Sequence, residues 1–146
     1  MLPKWHIFYG LIFAVILKTI YPSIDYIDLG IFFLASFLID TDHYISATIR
    51  TKRINFMHNY NYQLKEGEKR ANKLKKGIKE KEPFHLFHTI EFHILIAILG
   101  LFWNPFLFIF IGMVFHSLLD LGFMMYHNIL FMREFFFFNW LGEKLS

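Results

Sequence analysis

Histidine and carboxylate side chains recur inside and beside the apolar runs of this sequence, which contains eight His and no Cys. His85, His88 and Glu91 follow one another at intervals of three, and His116 and Asp120 are four residues apart. On a helix such spacings bring side chains to one face. Imidazole nitrogen and carboxylate oxygen are ligands that zinc, manganese and iron accept, whereas thiolate zinc sites and Cys nucleophiles are excluded. The spacing therefore predicts a site for a divalent metal ion.

A second motif, Asp-Thr-Asp-His at 40–43, stands at the end of an apolar run. If that run is a helix, Asp40 and Asp42 lie at its C-terminus, where the helix dipole is negative and two carboxylates are unfavourable. A divalent cation would compensate them, with His43 as a further ligand. The alternative is that the two acids merely end the helix at a membrane surface.

Other polar residues have competing interpretations. The pair His116 and Asp120 suits two ligands, or one ligand and its orienting carboxylate, but an intrahelical hydrogen bond would explain the spacing as well. His93 projects from another side of the third run, and a lone His on an apolar helix is more often a hydrogen-bonded core residue. His58 and His127 are expected at the surface. No Ser-His-Asp order, phosphate-binding glycine loop or dinucleotide fingerprint is present.

Four apolar runs carry these residues, and 55% of the chain is hydrophobic, with 20 Phe. A soluble domain of this size cannot bury that much apolar surface. We therefore expect an all-α integral membrane protein, a single domain over 1–146, with about four transmembrane helices. The aromatic stretch 131–140 predicts a C-terminal helix at the membrane interface. The four runs are 5–20, 27–39, 84–103 and 105–126.

One strongly polar segment, residues 50–82, separates the second and third runs. It holds eleven Lys or Arg against four Glu, a net charge of +7, whereas the whole chain has +3. Short basic loops stay in the cytoplasm, so the segment predicts a multi-pass protein of the inner (cytoplasmic) membrane with both termini cytoplasmic. Its basic residues are expected to attract anionic lipid headgroups. Nucleic acid is not an expected partner, because the aromatic residues stand at the start of the segment.

The predicted topology brings polar side chains from all four runs to one depth. At about 1.5 Å per helical residue from the outer turns, they lie roughly 21–23 Å below the outer face. Ionisable side chains inside a membrane normally face the bundle interior and pair with one another. The sequence therefore predicts that one member of each run converges on a common site near the cytoplasmic side: His6, Asp40, His88 and Asp120.

Four of these places resemble the YdjM-like membrane-bound metal-dependent hydrolases, a family that includes the LexA-binding inner-membrane proteins. They are His6 followed by Gly10, the stretch 38–43, the His-rich start of the third run, and the stretch 112–120. Where the family has Pro before its first Asp, this chain has Ile39. The third-run pattern of the family, HRGxTHS, is not reproduced, so His85 with His88, or His88 with His93, could replace it. The resemblance implies a metal site.

The favoured hypothesis is a divalent-metal hydrolase that acts on a lipid or lipid-linked phosphoester at the cytoplasmic leaflet. Zinc or manganese is the expected metal, and the number of candidates allows two ions. Glu91 or Asp42 would act in catalysis by taking up the proton. The expected metal ligands are His6, Asp40, His43, His85, His88, His116 and Asp120.

Two other functions fit the same residues. The cluster could bind or transport metal ions or protons, or it could be a metal site in a structural membrane protein. Against transport, few ionisable residues occupy the predicted outer half of the runs. Haem binding by a pair such as His93 and His116 is a third possibility, but carboxylates beside nearly every His argue against it.

Overall fold

The structure is a computed structural model that describes residues 3–146, and over this range the chain is helical without a strand. The all-helical class is therefore confirmed. Seven α-helices and two short 3₁₀ turns, Leu86–His88 and Leu130–Met132, make up the fold. The helices are α1 (Pro3–Ile20), α2 (Tyr26–Leu38), α3 (Thr41–Thr51), α4 (Phe56–Lys75), α5 (Ile90–Gly100), α6 (Asn104–Tyr126) and α7 (Phe137–Leu145).

Helices α2 and α6 form the centre of the bundle, with α1 packed mainly on α2 and α5 on α6. Two glycines allow this close packing. A Cβ at Gly112 of α6 would lie 2.6 Å from the carbonyl oxygen of Phe32, and one at Gly10 of α1 would overlap the Ser36 hydroxyl. Gly10 is four residues after His6 and Gly112 four before His116, so each glycine lies on the same helix face as the nearby histidine. The close packing thus brings both histidines against α2.

The structure differs from the prediction at the end of the second run and at the start of the third. The second run ends at Leu38, and the chain turns at residues 39–40 before α3 begins at Thr41. Asp42 is therefore in the first turn of α3, where the helix dipole favours a carboxylate, and not at a helix C-terminus as the sequence suggested. The third run, 84–103, contains a 3₁₀ turn and only then α5, because Thr89 has extended backbone and its hydroxyl accepts a hydrogen bond from Phe92 N–H. His85, His88 and Glu91 consequently do not lie along one helix.

Most of the basic segment is helical. Helix α4 packs antiparallel on α3, and the centre of this α3–α4 hairpin is polar. Asn59 is fully buried there, donating to Thr48 Oγ1 and to the carbonyl oxygen of Arg53, while its own Oδ1 accepts from Thr51 Oγ1. The charged side chains of α4 point outward.

Within residues 3–146, α6 is the one helix long and apolar enough to cross a membrane by length and composition. It has 23 residues, whereas α2 has 13 and α5 has 11, fewer than the roughly 20 residues that a bilayer core requires. Helix α1 has 18 residues and carries polar side chains at both ends. One membrane span is thus supported, and the other three stay a prediction.

Candidate metal centre

Five segments of the fold bring the seven predicted metal ligands into one buried region. α1 contributes one residue, the α2–α3 turn and the first turn of α3 contribute two, the segment before α5 two, and α6 two. Together with Asp42 they form four overlapping groups whose ligand atoms lie within 4.8 Å of one another. These buried His and Asp clusters could hold a metal ion. The groups are His6, Asp40 and His116; Asp40, His43 and His88; Asp42, His43 and His85; and His88, His116 and Asp120.

Three of these atoms form a nearly regular triangle. His88 Nε2 is 3.3 Å from His116 Nε2, and Asp40 Oδ1 is 3.5 Å from the former and 3.4 Å from the latter. Zinc holds nitrogen and oxygen ligands at about 2.0–2.2 Å, so two ligands of a tetrahedral ion are roughly 3.3–3.6 Å apart. The three distances therefore lie in the range expected between ligand atoms at zinc ions.

Hydrogen bonds at the far nitrogens orient both imidazoles of the triangle. His116 Nδ1 lies 2.9 Å from the Ser36 carbonyl oxygen and His88 Nδ1 lies 3.0 Å from Asp42 Oδ2, so each Nδ1–H donates to an oxygen. In the neutral ring this leaves the Nε2 lone pair directed into the triangle. Two such lone pairs 3.3 Å apart repel unless a proton or cation lies between them. Outer hydrogen bonds of this kind are typical of metal-binding histidines.

His6 and Asp120 extend the triangle on one side. The His6 ring stacks on His116 with centroids 3.8 Å apart, and His6 Nε2 lies 3.2 Å from Asp120 Oδ1. His6 is completely buried, and although Nε2 faces Asp120, its Nδ1 has no hydrogen-bond partner. A buried polar atom without a partner costs about 1–3 kcal/mol, and a cation beside the ring would remove that cost. These residues therefore fit a metal ion.

The cluster continues beyond the triangle outside the long apolar helices, with two imidazoles and one carboxylate: His43, His85 and Asp42. The two imidazole rings lie 3.7 Å apart, and His85 Nδ1 is 3.7 Å from Asp42 Oδ1; neither of these two atoms has a hydrogen-bond partner. Burial lowers the pKa of His85 to about 4 and holds the pKa of His43 well below its usual range. Both rings are consequently neutral at pH 7, which is the form that binds metals.

Arg133 is a site residue that the sequence did not indicate. Its Nη1 lies 2.5 Å from Asp120 Oδ2, its side chain is 8% exposed, and Nη2 lies 3.6 Å from Glu82. Backbone hydrogen bonds from Glu82 N–H to the Met132 carbonyl and from Ile90 N–H to that of Phe135 hold this segment in place. In the sequence, Arg133 merely interrupts an aromatic stretch near the terminus, and no local pattern links it to Asp120.

The charges of the region favour a cation. Asp40, Asp42 and Asp120 have side chains between 3% and 16% exposed, and one guanidinium, that of Arg133, lies among them. Buried carboxylates need positive partners, because an unpaired charge away from water is costly. Protons on the imidazoles, or one or two divalent ions in their place, would supply positive charge beside these carboxylates.

Glu91 lies apart from these clusters. Its carboxylate accepts hydrogen bonds from the backbone N–H groups of Phe137, at 2.9 Å, and Phe138, at 3.3 Å, so it caps the N-terminus of α7. His93 also has a local role: Nδ1–H donates to the Thr89 carbonyl and Nε2 accepts from the Ser117 hydroxyl. With both nitrogens engaged, His93 offers no ligand to a haem iron.

Comparisons with known proteins give no relative for this chain: no protein-family profile, curated protein or solved structure matches it. Function must therefore be argued from the chemistry of the site itself. That chemistry consists of oriented imidazoles, three largely buried carboxylates and one guanidinium in a single cluster. Such a set can hold divalent cations and face them towards an anionic group.

Proposed function

We propose that this protein is a metal-dependent membrane hydrolase that binds two divalent cations, zinc or manganese, and acts on a lipid phosphoester at the cytoplasmic leaflet. The observation that carries the proposal is the position of Asp40. Its Oδ1 lies 3.4–3.5 Å from the Nε2 atoms of three histidines that belong to different elements of the fold. A carboxylate surrounded in this way is suited to bridge two ions. The three histidines are His43, His88 and His116.

The ligands divide into two sets that share this bridge. His6 and His116 with Asp40 would hold one ion, and His43 and His88 with Asp40 the other. Imidazole and carboxylate ligands together suit zinc and manganese better than magnesium or calcium, which prefer oxygen ligands throughout. Asp120 and Asp42 lie beside the first and second set respectively, where each can orient or complete it.

The residues around the two sets supply the remaining functions of a hydrolase. When bound, such ions polarise a phosphoryl oxygen and make water a stronger nucleophile at neutral pH. Asp42 keeps His88 in its ligating orientation through Oδ2, and its buried Oδ1 has no hydrogen-bond partner and can take up the proton. Glu91 is not suited to this role, because both of its carboxylate oxygens accept hydrogen bonds from backbone N–H groups in the first turn of α7. Arg133 lies where it can stabilise negative charge on the phosphoryl group.

Exposed apolar surface supports a location in the membrane. Besides the long α6, helix α1 presents a continuous apolar face, with Phe8, Leu11, Val15 and Ile20 between 51% and 61% exposed. A monomeric protein in water rarely exposes an apolar patch of this kind, whereas lipid would cover it. The +7 segment 50–82 would then attract anionic headgroups towards the site.

The charged residues at the opposite end of the bundle do not favour a transport function. Lys18 donates to the carbonyl oxygens of Pro22 and Ile24, Asp25 caps α2, and Asp28 accepts from Asn104. Each therefore has a local structural partner near the helix ends. A path for ions or protons would need further polar groups between these residues and the cluster.

The decisive experiment compares His116→Ala and Asp120→Asn with the wild type. His127→Ala is the matched control, because His127 is exposed just beyond the C-terminus of α6. We expect about two metal ions per wild-type and control chain by element analysis, and a loss of metal affinity of at least about 10–100-fold in the two site variants. Turnover of a panel of phosphoesters should fall in parallel.

Thermal stability of the variants distinguishes the hydrolase from a purely structural cluster. If His116 and Asp120 only stabilise the bundle, the variants will melt at lower temperature while the metal content of all proteins is the same and close to zero. Bound metal without turnover of any phosphoester would contradict hydrolysis and favour metal binding or transport.

A further inference from the structure

A long apolar groove runs along the bundle and ends at the metal centre. It lies between α5 and α6, has a volume of about 740 Å³, and is lined at one end by His88, Arg133, Phe135 and Phe136. From that end its walls continue through Ile94, Ala97 and Ile98 on α5 and through Val114 and Leu118 on α6. The groove thus joins a polar end to a hydrocarbon-like interior.

The dimensions of the groove correspond to one leaflet of a bilayer. Its α5 wall extends from Ile90 to Leu101 and its α6 wall from Leu121 to Phe110. At about 1.5 Å per helical residue, eleven residues cover roughly 16 Å, about half of a hydrocarbon core of about 30 Å. A single extended hydrocarbon chain in one leaflet would have this reach.

The polar side chains that border the groove are already paired. The Ser117 hydroxyl donates a hydrogen bond to His93 Nε2, and His93 Nδ1–H donates to the Thr89 carbonyl oxygen. The surface in the middle of the groove is therefore apolar. Only the end lined by His88 and Arg133 offers polar side chains. There, Arg133 is 8% exposed and its buried Nε has no hydrogen-bond partner, although Nη1 and Nη2 face Asp120 and Glu82.

We propose that this groove binds one hydrocarbon chain of a lipid phosphoester and places its phosphate between Arg133 and the metal centre. The proposal rests on the proposed function, because it assigns a substrate class to that same centre. Arginine matches phosphate in charge and in hydrogen-bond geometry, and Arg133 lines the end of the groove with a buried Nε–H that has no hydrogen-bond partner. The apolar walls of the groove would stabilise the bound hydrocarbon chain along its length, and a water-soluble phosphoester without such a chain would not gain this binding free energy.

The test uses hexadecylphosphonate, which carries one long alkyl chain and cannot be hydrolysed, and measures its retention by the metal-loaded protein with native mass spectrometry. Ala97→Trp fills the groove from the α5 wall. Leu95→Trp places the same indole on the exposed side of the same helix and is the matched control. Val114→Phe obstructs the groove from α6, so the test does not depend on one variant folding.

We expect Ala97→Trp and Val114→Phe each to weaken hexadecylphosphonate binding by at least about tenfold, since a few displaced methylene groups suffice for that loss. Leu95→Trp should bind as the wild type does. All three variants should retain the metal content of the wild type, which shows that they are folded, and Leu95→Trp should also hydrolyse para-nitrophenyl phosphate, a soluble substrate, as the wild type does. The wild type should also prefer hexadecylphosphonate to hexadecanol by at least about tenfold, because the alcohol lacks the charge that pairs with Arg133.

Two results would contradict the proposed lipid binding in the groove. One is equal hexadecylphosphonate binding by Ala97→Trp, Val114→Phe and Leu95→Trp, and the other is equal binding of hexadecylphosphonate and hexadecanol by the wild type. Both are readable even if the protein hydrolyses nothing. Conversely, absence of turnover on every phosphoester, together with phosphonate binding that Ala97→Trp abolishes, would reject the hydrolase and support the groove.

Discussion

The metal centre and the α3–α4 hairpin are the two charged regions of this molecule, and they use charge in opposite ways. In the centre, His6, His116 and Asp120 are 0–2% exposed and in contact with one another. In the α4 half of the hairpin, the charged side chains are at least partly exposed and the buried residue is the neutral Asn59, whereas Asp42 at the start of α3 belongs to the centre. Charges that leave water must be compensated within the protein, whereas exposed charges are solvated and screened. Ionisable residues therefore indicate a site only when the fold removes them from water.

Metal removal should separate the two regions most strongly. A metal present at about 1,000 times its dissociation constant stabilises the folded state by roughly 4 kcal/mol, and a chelator should remove that contribution. We expect the melting temperature of the wild type to fall and hydrogen exchange in α2 and α6 to accelerate, while α4 keeps its exchange rates. His116→Ala, which lacks a ligand, should show little response to the chelator. Equal acceleration in α4 would mean that the hairpin depends on the centre.

The same substitution in each region should have opposite effects. A Cβ at Gly112 would lie 2.6 Å from the Phe32 carbonyl oxygen, so Gly112→Ala must separate α6 from α2 and should destabilise the protein by about 1–3 kcal/mol. At Gly67 in α4 a Cβ meets nothing within 4 Å, and Gly67→Ala should stabilise by up to about 1 kcal/mol through helix propensity. Unfolding in urea measures both. Destabilisation by both variants would show that the hairpin is packed as tightly as the centre.

The smallest effect is expected from the exposed ion pairs of the hairpin. Lys69 Nζ lies 2.6 Å from Glu66 Oε1, but the Lys69 side chain is 68% exposed. Pairs of this kind contribute little to folding, because water and salt screen them. Lys69→Gln should leave the melting temperature unchanged, at low and at high salt. A clear destabilisation that disappears in high salt would give the surface charges a structural role and weaken the contrast with the centre.

Much of the candidate site could be predicted because polar residues are rare in long apolar runs and helical spacing is regular. Counting residues from the outer turns brought His6, Asp40, His88 and Asp120 to one depth, and the structure places all four in the buried cluster. Their role as metal ligands stays a prediction that element analysis can decide. The break at Thr89 was not predicted, because a continuous apolar run conceals where one hydroxyl will cap a helix.

By itself, the sequence determined the helical class, the basic segment between apolar runs and the residues able to bind metal, because each follows from composition or local periodicity. Only the tertiary structure assigned Glu91 to the N-terminus of α7, brought Arg133 to Asp120 and oriented His88 through Asp42. These contacts join residues 13 to 46 positions apart in the chain. Such distant pairs are fixed by how whole helices and loops pack, and no local pattern of residue types encodes that packing.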